Sequence, residues 1–532
     1  MKCPLSRAKA KKGGAVLALA LMAGAQAASA QTVPDPTETV EVNKCMLYIY
    51  KADPGLTGLR HPVLFIEGFD FNNDHDEEAL YTQFNGDRLI EELHDFGRDV
   101  ILLNFDDANR NVWDNGAKTA KAIEYIQANR AGAAHKFTVV GAGMGGLTSR
   151  LALADLEAQN KQHGVDTWIS FDAPHEGANI PLGLQKYLEF CASFTDYEPG
   201  FASQSELLQV LTLEALKEML LVHYSTSDGL AAPAIDRKSL IRQLDAAGYP
   251  TNCKSIAISN GSGLGATQPF SPGEQIMHLE NPALPWIEFN IYALPQSTGN
   301  GQNAGEQLVF DGLYYIVDGD NVENASYYPY ALDNAPGSTS DLFYQLFSSF
   351  GYPDGSDYCT YSNYCVVSTT SSLGIPIEHI DADLSAHPEI RALSPFDEIH
   401  YGVANEPHME INARNKAWFL RAVLEEVDSD GDGFDDYTEF LIGSDGNSSG
   451  SGLTLSTGMS AAPGNGNVAL SCNLHPNTKY EVWFTEALGR PWTLLDTFMP
   501  EVYQQNTNCI YELTNAAGFF NVTAEAVDPV TD

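Results

Sequence analysis

From residue 44 onward the chain alternates short apolar runs with amphipathic helical stretches, and this alternation restricts the fold more than any other feature. The runs CMLYIY (45–50), PVLFIEG (62–68), DVILLNF (99–105), FTVVGAG (137–143), TWISFD (167–172) and SIAISN (255–260) are of strand length. Between them, GDRLIEELHDFG, AKTAKAIEYIQANRA and GGLTSRLALADLEAQNK space their apolar residues three to four apart, which lines one helix face. Strands that alternate with helices build a parallel sheet covered by those helices. The expected fold class is therefore α/β, a doubly wound and mostly parallel sheet with ligands at the carboxyl ends of its strands.

Two segments interrupt the alternation. Residues 183–250 read as helical, and residues 270–365 are irregular and rich in aromatics such as Tyr314, Tyr327, Phe343 and Tyr352. Insertions near strand ends often form a lid or a substrate wall. After a last amphipathic helix, EINARNKAWFLRAVLEEV, come an acidic loop and the linker GSDGNSSGSG. From 453 to 532 the pattern changes to short strands with turn signals, the reading for a small β-sandwich-like module.

The amino terminus carries Lys2, Arg7, Lys9, Lys11 and Lys12, then the apolar run AVLALALMAG, then Ala28-Ser29-Ala30. That is the layout of a secretory signal peptide cleaved near Ala30, with a core too short to stay in a bilayer as a span. The division expected is signal peptide 1–30, α/β domain 31–427, loop and linker 428–452, and β module 453–532. Secretion, to the periplasm, the cell surface or beyond, follows, as does a protein not integral to the membrane. The formal net charge is −41, and removing the five basic residues of the signal leaves about −46. Such a surface repels nucleic acid. Of eight cysteines, seven follow the signal, and an exported chain favours disulfides. Cys359 with Cys365 and Cys472 with Cys509 are candidate pairs; Cys191 with Cys253 is a third that leaves Cys45 unpaired.

The stretch TVVGAGMGGL (138–147) runs from a strand through a glycine-rich turn into a helix. It fits the nucleophile elbow G-x-S-x-G except that Gly143 stands where the serine belongs. Gly141, Gly143 and Gly146 also match the dinucleotide pattern G-x-G-x-x-G, but that fingerprint belongs on a first strand, and this turn follows three or more. Together with PVLFIEGFD, DVILLNFDDANRNVWDNG, ISFDAPHEGANIPLG, SIAISNGSG and SPFDEIHYGVANEPHMEI, the elbow resembles the α/β-hydrolase superfamily, specifically secreted bacterial esterase- and lipase-like proteins with a GxSMGG elbow. The resemblance covers residues 44 to about 425. It implies a carboxylic ester hydrolase site with an ester or acyl ligand, small or polymeric, and no organic cofactor. It also implies that Gly143 is a vacant nucleophile position, that the amides of Met144 and Phe69 form the oxyanion hole, and that His408 is the general base. The acid is open between Asp172, at the end of TWISFD, and Asp397, close to His408 in sequence; the triad needs one carboxylate to orient the imidazole.

A site without hydroxyl or thiol forms no acyl-enzyme, and loss of the triad nucleophile costs on the order of 10^6 in turnover. Three readings follow: an esterase-type protein with serine chemistry lost or strongly reduced, a hydrolase using an unrecognised nucleophile or water, and a non-catalytic protein that binds a surface or glycan through its β module. Separately, DSDGDGFDDYTE (428–439) fits the EF-hand loop D-x-D-x-D-G-x5-E. Its calcium ligands would be Asp428, Asp430, Asp432, the Phe434 carbonyl, Asp436 and Glu439, and its Ca2+ would be structural, stiffening the join between domain and module.

Overall fold

The computed structural model describes residues 33–70, 73–193, 209, 211–224, 235–280, 287–294, 307–314, 320–325, 330–341, 361, 363–431, 433–442, 445–448, 456–462, 465–474, 478–485, 491–499, 504–513 and 519–526. The signal segment, Cys359 and Asp432 lie outside these residues, as do Tyr327, Phe343 and Tyr352 of the aromatic-rich insertion. Among the described residues no helix is long and apolar enough to cross a membrane.

Eight strands form one sheet: β1 (Glu38–Val42), β2 (Cys45–Tyr50), β3 (Val63–Ile66), β4 (Val100–Asn104), β5 (Thr138–Ala142), β6 (Thr167–Phe171), β7 (Lys254–Ser262) and β8 (Glu398–Gly402). Their order across the sheet is β1-β2-β4-β3-β5-β6-β7-β8. From β4 through β3, β5, β6 and β7 to β8 every pairing is parallel, while β1 and β2 add an antiparallel edge. The central strands are apolar on both faces because helices cover them, and Leu64, Ile66, Leu102, Val139, Ile169 and Ile258 are fully buried. Helices Val112–Asn129 and Met144–Ala158 bracket β5 in the chain and pack on each other. Trp168 of β6 anchors the second helix, its indole N–H donating to Ser149 Oγ at 2.9 Å.

All six apolar runs are strands of this sheet. Two more strands are added: β1, which alternates exposed and half-buried residues on the outer edge, and β8, the polar sequence EIHYG. The apolar run CVVSTTSSL (365–373) lies outside the main sheet. Tyr364–Ser368 pairs with Gly337–Ser340 in a separate two-stranded ribbon, and Ser368 then caps a short helix, Thr369–Ser372, accepting from the Ser371 amide. The helical insertion contains helices Leu182–Ser193, Glu214–Met219 and Ile235–Ala247. The aromatic-rich insertion contains a four-stranded antiparallel sheet, Gln275–Glu280, Ile287–Tyr292, Gln307–Tyr314 and Asp320–Ala325.

Two three-stranded antiparallel sheets follow residue 455. Their register sets Cys472 opposite Thr507 and Cys509 opposite Leu470, so the two cysteines sit on neighbouring strands, two positions apart. Cys45, Cys253 and Cys365 are free thiols. The pairings Cys359–Cys365 and Cys191–Cys253 are therefore not made: Cys365 is enclosed at the start of its ribbon, and burial pushes the Cys253 thiol up to about 12.

Candidate active site

The elbow is built by close approach. A side chain on Gly141 would reach within 2.3 Å of the Gly145 carbonyl, and one on Gly145 within 2.5 Å of the Ile66 carbonyl. Only glycine fits between β5, β3 and the following helix. Gly143 itself holds φ +52° and ψ −121°, a conformation that L side chains rarely adopt, and serves as the N-cap of helix Met144–Ala158. Its amide donates to the Phe171 carbonyl at 2.8 Å, locking the turn against β6.

A Cβ at Gly143 would lie 3.4 Å from His408 Nε2. His408 is buried, and its Nε2 has no hydrogen-bond partner. Its Nδ1 lies 2.9 Å from Ser338 Oγ and 3.4 Å from Asp172 Oδ2. Asp172 directly follows β6 and is fully buried at φ +49°. Its two oxygens accept backbone N–H bonds at 2.9 Å from Asn260 and Met409, which fix the carboxylate. The order along the chain is thus elbow, carboxylate, histidine, as a triad of this architecture requires.

Asp397 is elsewhere. It immediately precedes β8, and its Oδ2 accepts from the amide and hydroxyl of Ser255 at 2.8 Å, where β7 begins. In parallel strands that is the amino edge of the sheet, opposite the elbow. Proximity in sequence misleads here because β8 itself lies between Asp397 and His408.

Three contributors were not readable from the sequence. Ser338 comes from the aromatic-rich insertion on strand Gly337–Ser340 and bonds the imidazole. Asn260, at the end of SIAISN, donates its amide to the carbonyls of Pro407 and Glu410, both at 2.8 Å, and so anchors the His408 loop. Met409, at φ +56°, places its Sδ 2.8 Å from the Cβ position of Gly143 and 3.2 Å from that of Gly68. The thioether therefore fills the space beside the elbow that a serine side chain would enter. Its position right after His408 is the only sequence signal for it. Phe69 and Met144 are both buried, Phe69 one residue past Gly68 and Met144 at the start of the helix.

Two places bear on metal binding. In the loop 428–439, Asp428 accepts from the amides of Gly431 (2.7 Å) and Gly433 (3.0 Å), both glycines at positive φ. Asp436, expected as a calcium ligand, is instead fully buried in an ion pair with Arg98 at 2.6 Å and accepts from Ser429 N and Oγ. A buried guanidinium is stabilised by a carboxylate partner, and Asp436 supplies it for Arg98. Phe434 is exposed and Glu439 buried. Among the described residues, the only three metal-capable groups whose ligand atoms converge within 4.8 Å of one another are Glu67, Asp70 and His75.

No protein-family model matches the chain, and no curated protein matches it. Similar solved structures include esterases and an esterase/lipase. An esterase/lipase from an uncultured bacterium is 12% identical over 41% of this chain and 73% of its own, with a TM-score of 0.23. Est1E from Butyrivibrio proteoclasticus is 12% identical over 41% of this chain and 86% of its own, at 0.21. Brefeldin A esterase, a bacterial homologue of human hormone sensitive lipase, is 13% identical over 41% of this chain and 66% of its own, at 0.23. Likeness at this level carries no residue-by-residue correspondence.

Proposed function

We propose that this is a secreted protein of esterase/lipase type whose α/β-hydrolase site keeps its base and acid and lacks its nucleophile. The observation that carries the reading is the line from Asp172 through His408 to Gly143: Nε2 of the imidazole faces, at 3.4 Å, the position from which a serine side chain would project. Asp172 orients the ring, Ser338 shares Nδ1 with it, and the amides of Met144 and Phe69 are the oxyanion donors. With no hydroxyl at position 143 and Met409 Sδ in its space, serine-type ester hydrolysis is lost, and the site serves to hold an ester or acyl ligand. Ester assays across chain lengths test this: native protein should show no turnover above background, and Gly143→Ser should gain it. Substantial turnover by the native chain would overturn the reading.

A second role falls to the β module, as an attachment end for a cell surface or glycan. Leu494 and Leu495 on strand Thr493–Phe498, at the edge of its sheet, and Trp492 and Met499 flanking that strand are all exposed. A pull-down of the full chain on cell envelopes and polysaccharide, native against Trp492→Ala/Leu494→Ala, tests it; equal retention or none rejects the role.

We further propose a structural Ca2+ in the loop 428–439, held by Asp428, Asp430, Asp432, the Phe434 carbonyl and Glu439, with Asp436 left to Arg98. The turn made by Gly431 and Gly433 around the Asp428 carboxylate supports it. Ca2+ should raise the melting temperature of EDTA-treated native protein and leave Asp428→Ala unmoved. No shift in the native chain would exclude the ion.

A further inference from the structure

Beyond β3 the chain forms the loop Glu67-Gly68-Phe69-Asp70, and His75 folds back onto it. His75 Nδ1 lies 3.6 Å from Asp70 Oδ2 and 3.9 Å from Glu67 Oε2. Both distances exceed hydrogen-bond reach, so no side-chain hydrogen bond joins the imidazole to either carboxylate. Two ligand atoms bound at about 2.0–2.1 Å to one tetrahedral ion stand about 3.4 Å apart, close to the spacing found.

An independent observation concerns Glu67. Its residue is 1% exposed; Oε1 accepts from the Phe105 amide, and Oε2 faces His75. Lys118, whose charge reaches Glu67, is engaged by Asp106 and Asn115. Asp70, also buried, adds like charge beside Glu67. Two buried carboxylates side by side are costly unless a cation joins them.

The frame around the cluster is already fixed. Asp70 Oδ2 accepts from the His75 amide at 2.8 Å, and the Asn73 amide donates to the Asp70 carbonyl. Asn104 at the end of β4 donates to the His75 carbonyl at 2.6 Å, and Asp76 caps the helix Glu77–Phe84. Supported ligands of this kind lose little freedom on binding. His75 is 29% exposed by side chain, which gives an ion a route in.

We infer that Glu67, Asp70 and His75 form a binding site for a divalent transition metal of the Zn2+ class. Two carboxylates balance the dication, and the neutral imidazole selects Zn2+, Co2+ or Mn2+ over Ca2+ and Mg2+, which take oxygen-only sets. Three protein ligands leave an open coordination position, the arrangement of sites that hold a water or a substrate oxygen. The site shares its loop with Phe69 and lies at the carboxyl end of β3, the same edge of the sheet as the elbow. It does not depend on the hydrolase reading, since metal binding is measured without any reaction.

Untagged full-length mature protein, stripped with EDTA, is titrated with Co2+ and read by visible ligand-field absorption. One equivalent should bind with bands that Zn2+ abolishes and Ca2+ does not. His75→Ala and Asp70→Asn should each weaken Co2+ binding at least tenfold. Circular dichroism checks folding of the variants, and X-ray absorption of the native Zn2+ form supplies a readout that needs none: one imidazole with oxygen neighbours is expected. Failure of the folded native chain to bind one equivalent, Co2+ bands that survive in folded His75→Ala, or a metal shell without imidazole would each overturn the site.

Discussion

The elbow and the loop 428–439 are opposite cases of what a motif means. The elbow sequence departs from its pattern at the nucleophile letter, yet in space Gly143, His408 and Asp172 come together, with His408 Nε2 3.4 Å from the Cβ position of Gly143 and Nδ1 3.4 Å from Asp172 Oδ2. The loop sequence is complete, yet Asp436 is turned away to neutralise Arg98. The difference lies in what else each residue must satisfy. The Gly143 backbone is fixed by sheet packing whatever its side chain would be, whereas a buried guanidinium captures the nearest carboxylate.

The comparison can be broken in order of effect. The largest change is expected at the elbow: Gly143→Ser combined with Met409→Ala should exceed native ester turnover by roughly 10^3-fold or more. Gly143→Ser alone should gain less, because Met409 Sδ sits 2.8 Å from the Cβ position. Equal rates for the single and double variants would show that Met409 does not block the site.

On the loop side, Arg98→Ala strands Asp436 in a fully buried setting and should cost about 3–5 kcal/mol in urea unfolding. Saturating Ca2+ should not restore it. Recovery by Ca2+ would make Asp436 a calcium ligand after all.

Acid titration probes the same neighbourhood. Burial, and then the charge of Arg98, depress the His61 imidazole to about 3. A folded value below the unfolded one means that the stability is complete above about 6.5 and is lost as pH falls toward 3, at roughly 1.4 kcal/mol per pH unit. His61→Gln should flatten that slope in pH-dependent urea melts; an unchanged slope would assign the acid loss elsewhere.

The smallest effect is expected behind the His408 loop. Asn412 caps helix Ala413–Leu424 in a reciprocal capping box with Asn415, and Asn412→Ala should cost about 1 kcal/mol by thermal melting. A loss several times larger would mean that the cap also holds the histidine in place.

The sheet was legible because six of its strands read as plain apolar runs: five are buried on both faces, and β2 is buried on one face and half-buried at Met46 and Tyr48 on the other. Its two edge strands were not: β1 is largely exposed and β8 is half-buried throughout most of its length, so neither carries a continuous apolar run. CVVSTTSSL has the composition of a main-sheet strand and pairs outside it, since composition reports burial and not partner. Asp172 was legible from its place at the end of β6, and the choice against Asp397 follows from which end of a strand each occupies. Ser338 and Met409 were not, because one arrives from a distant insertion and the other acts by filling space. Glu67, Asp70 and His75 follow no standard ligand spacing, and only the fold brings His75 back over the loop.

The most direct measurement is the intact mass of protein treated with a serine-reactive phosphonate. The account predicts no adduct on the native chain and one adduct, mapped to position 143, on Gly143→Ser/Met409→Ala, lost again when His408→Ala is added. A stoichiometric adduct on the native chain, or none on the folded double variant, would contradict it.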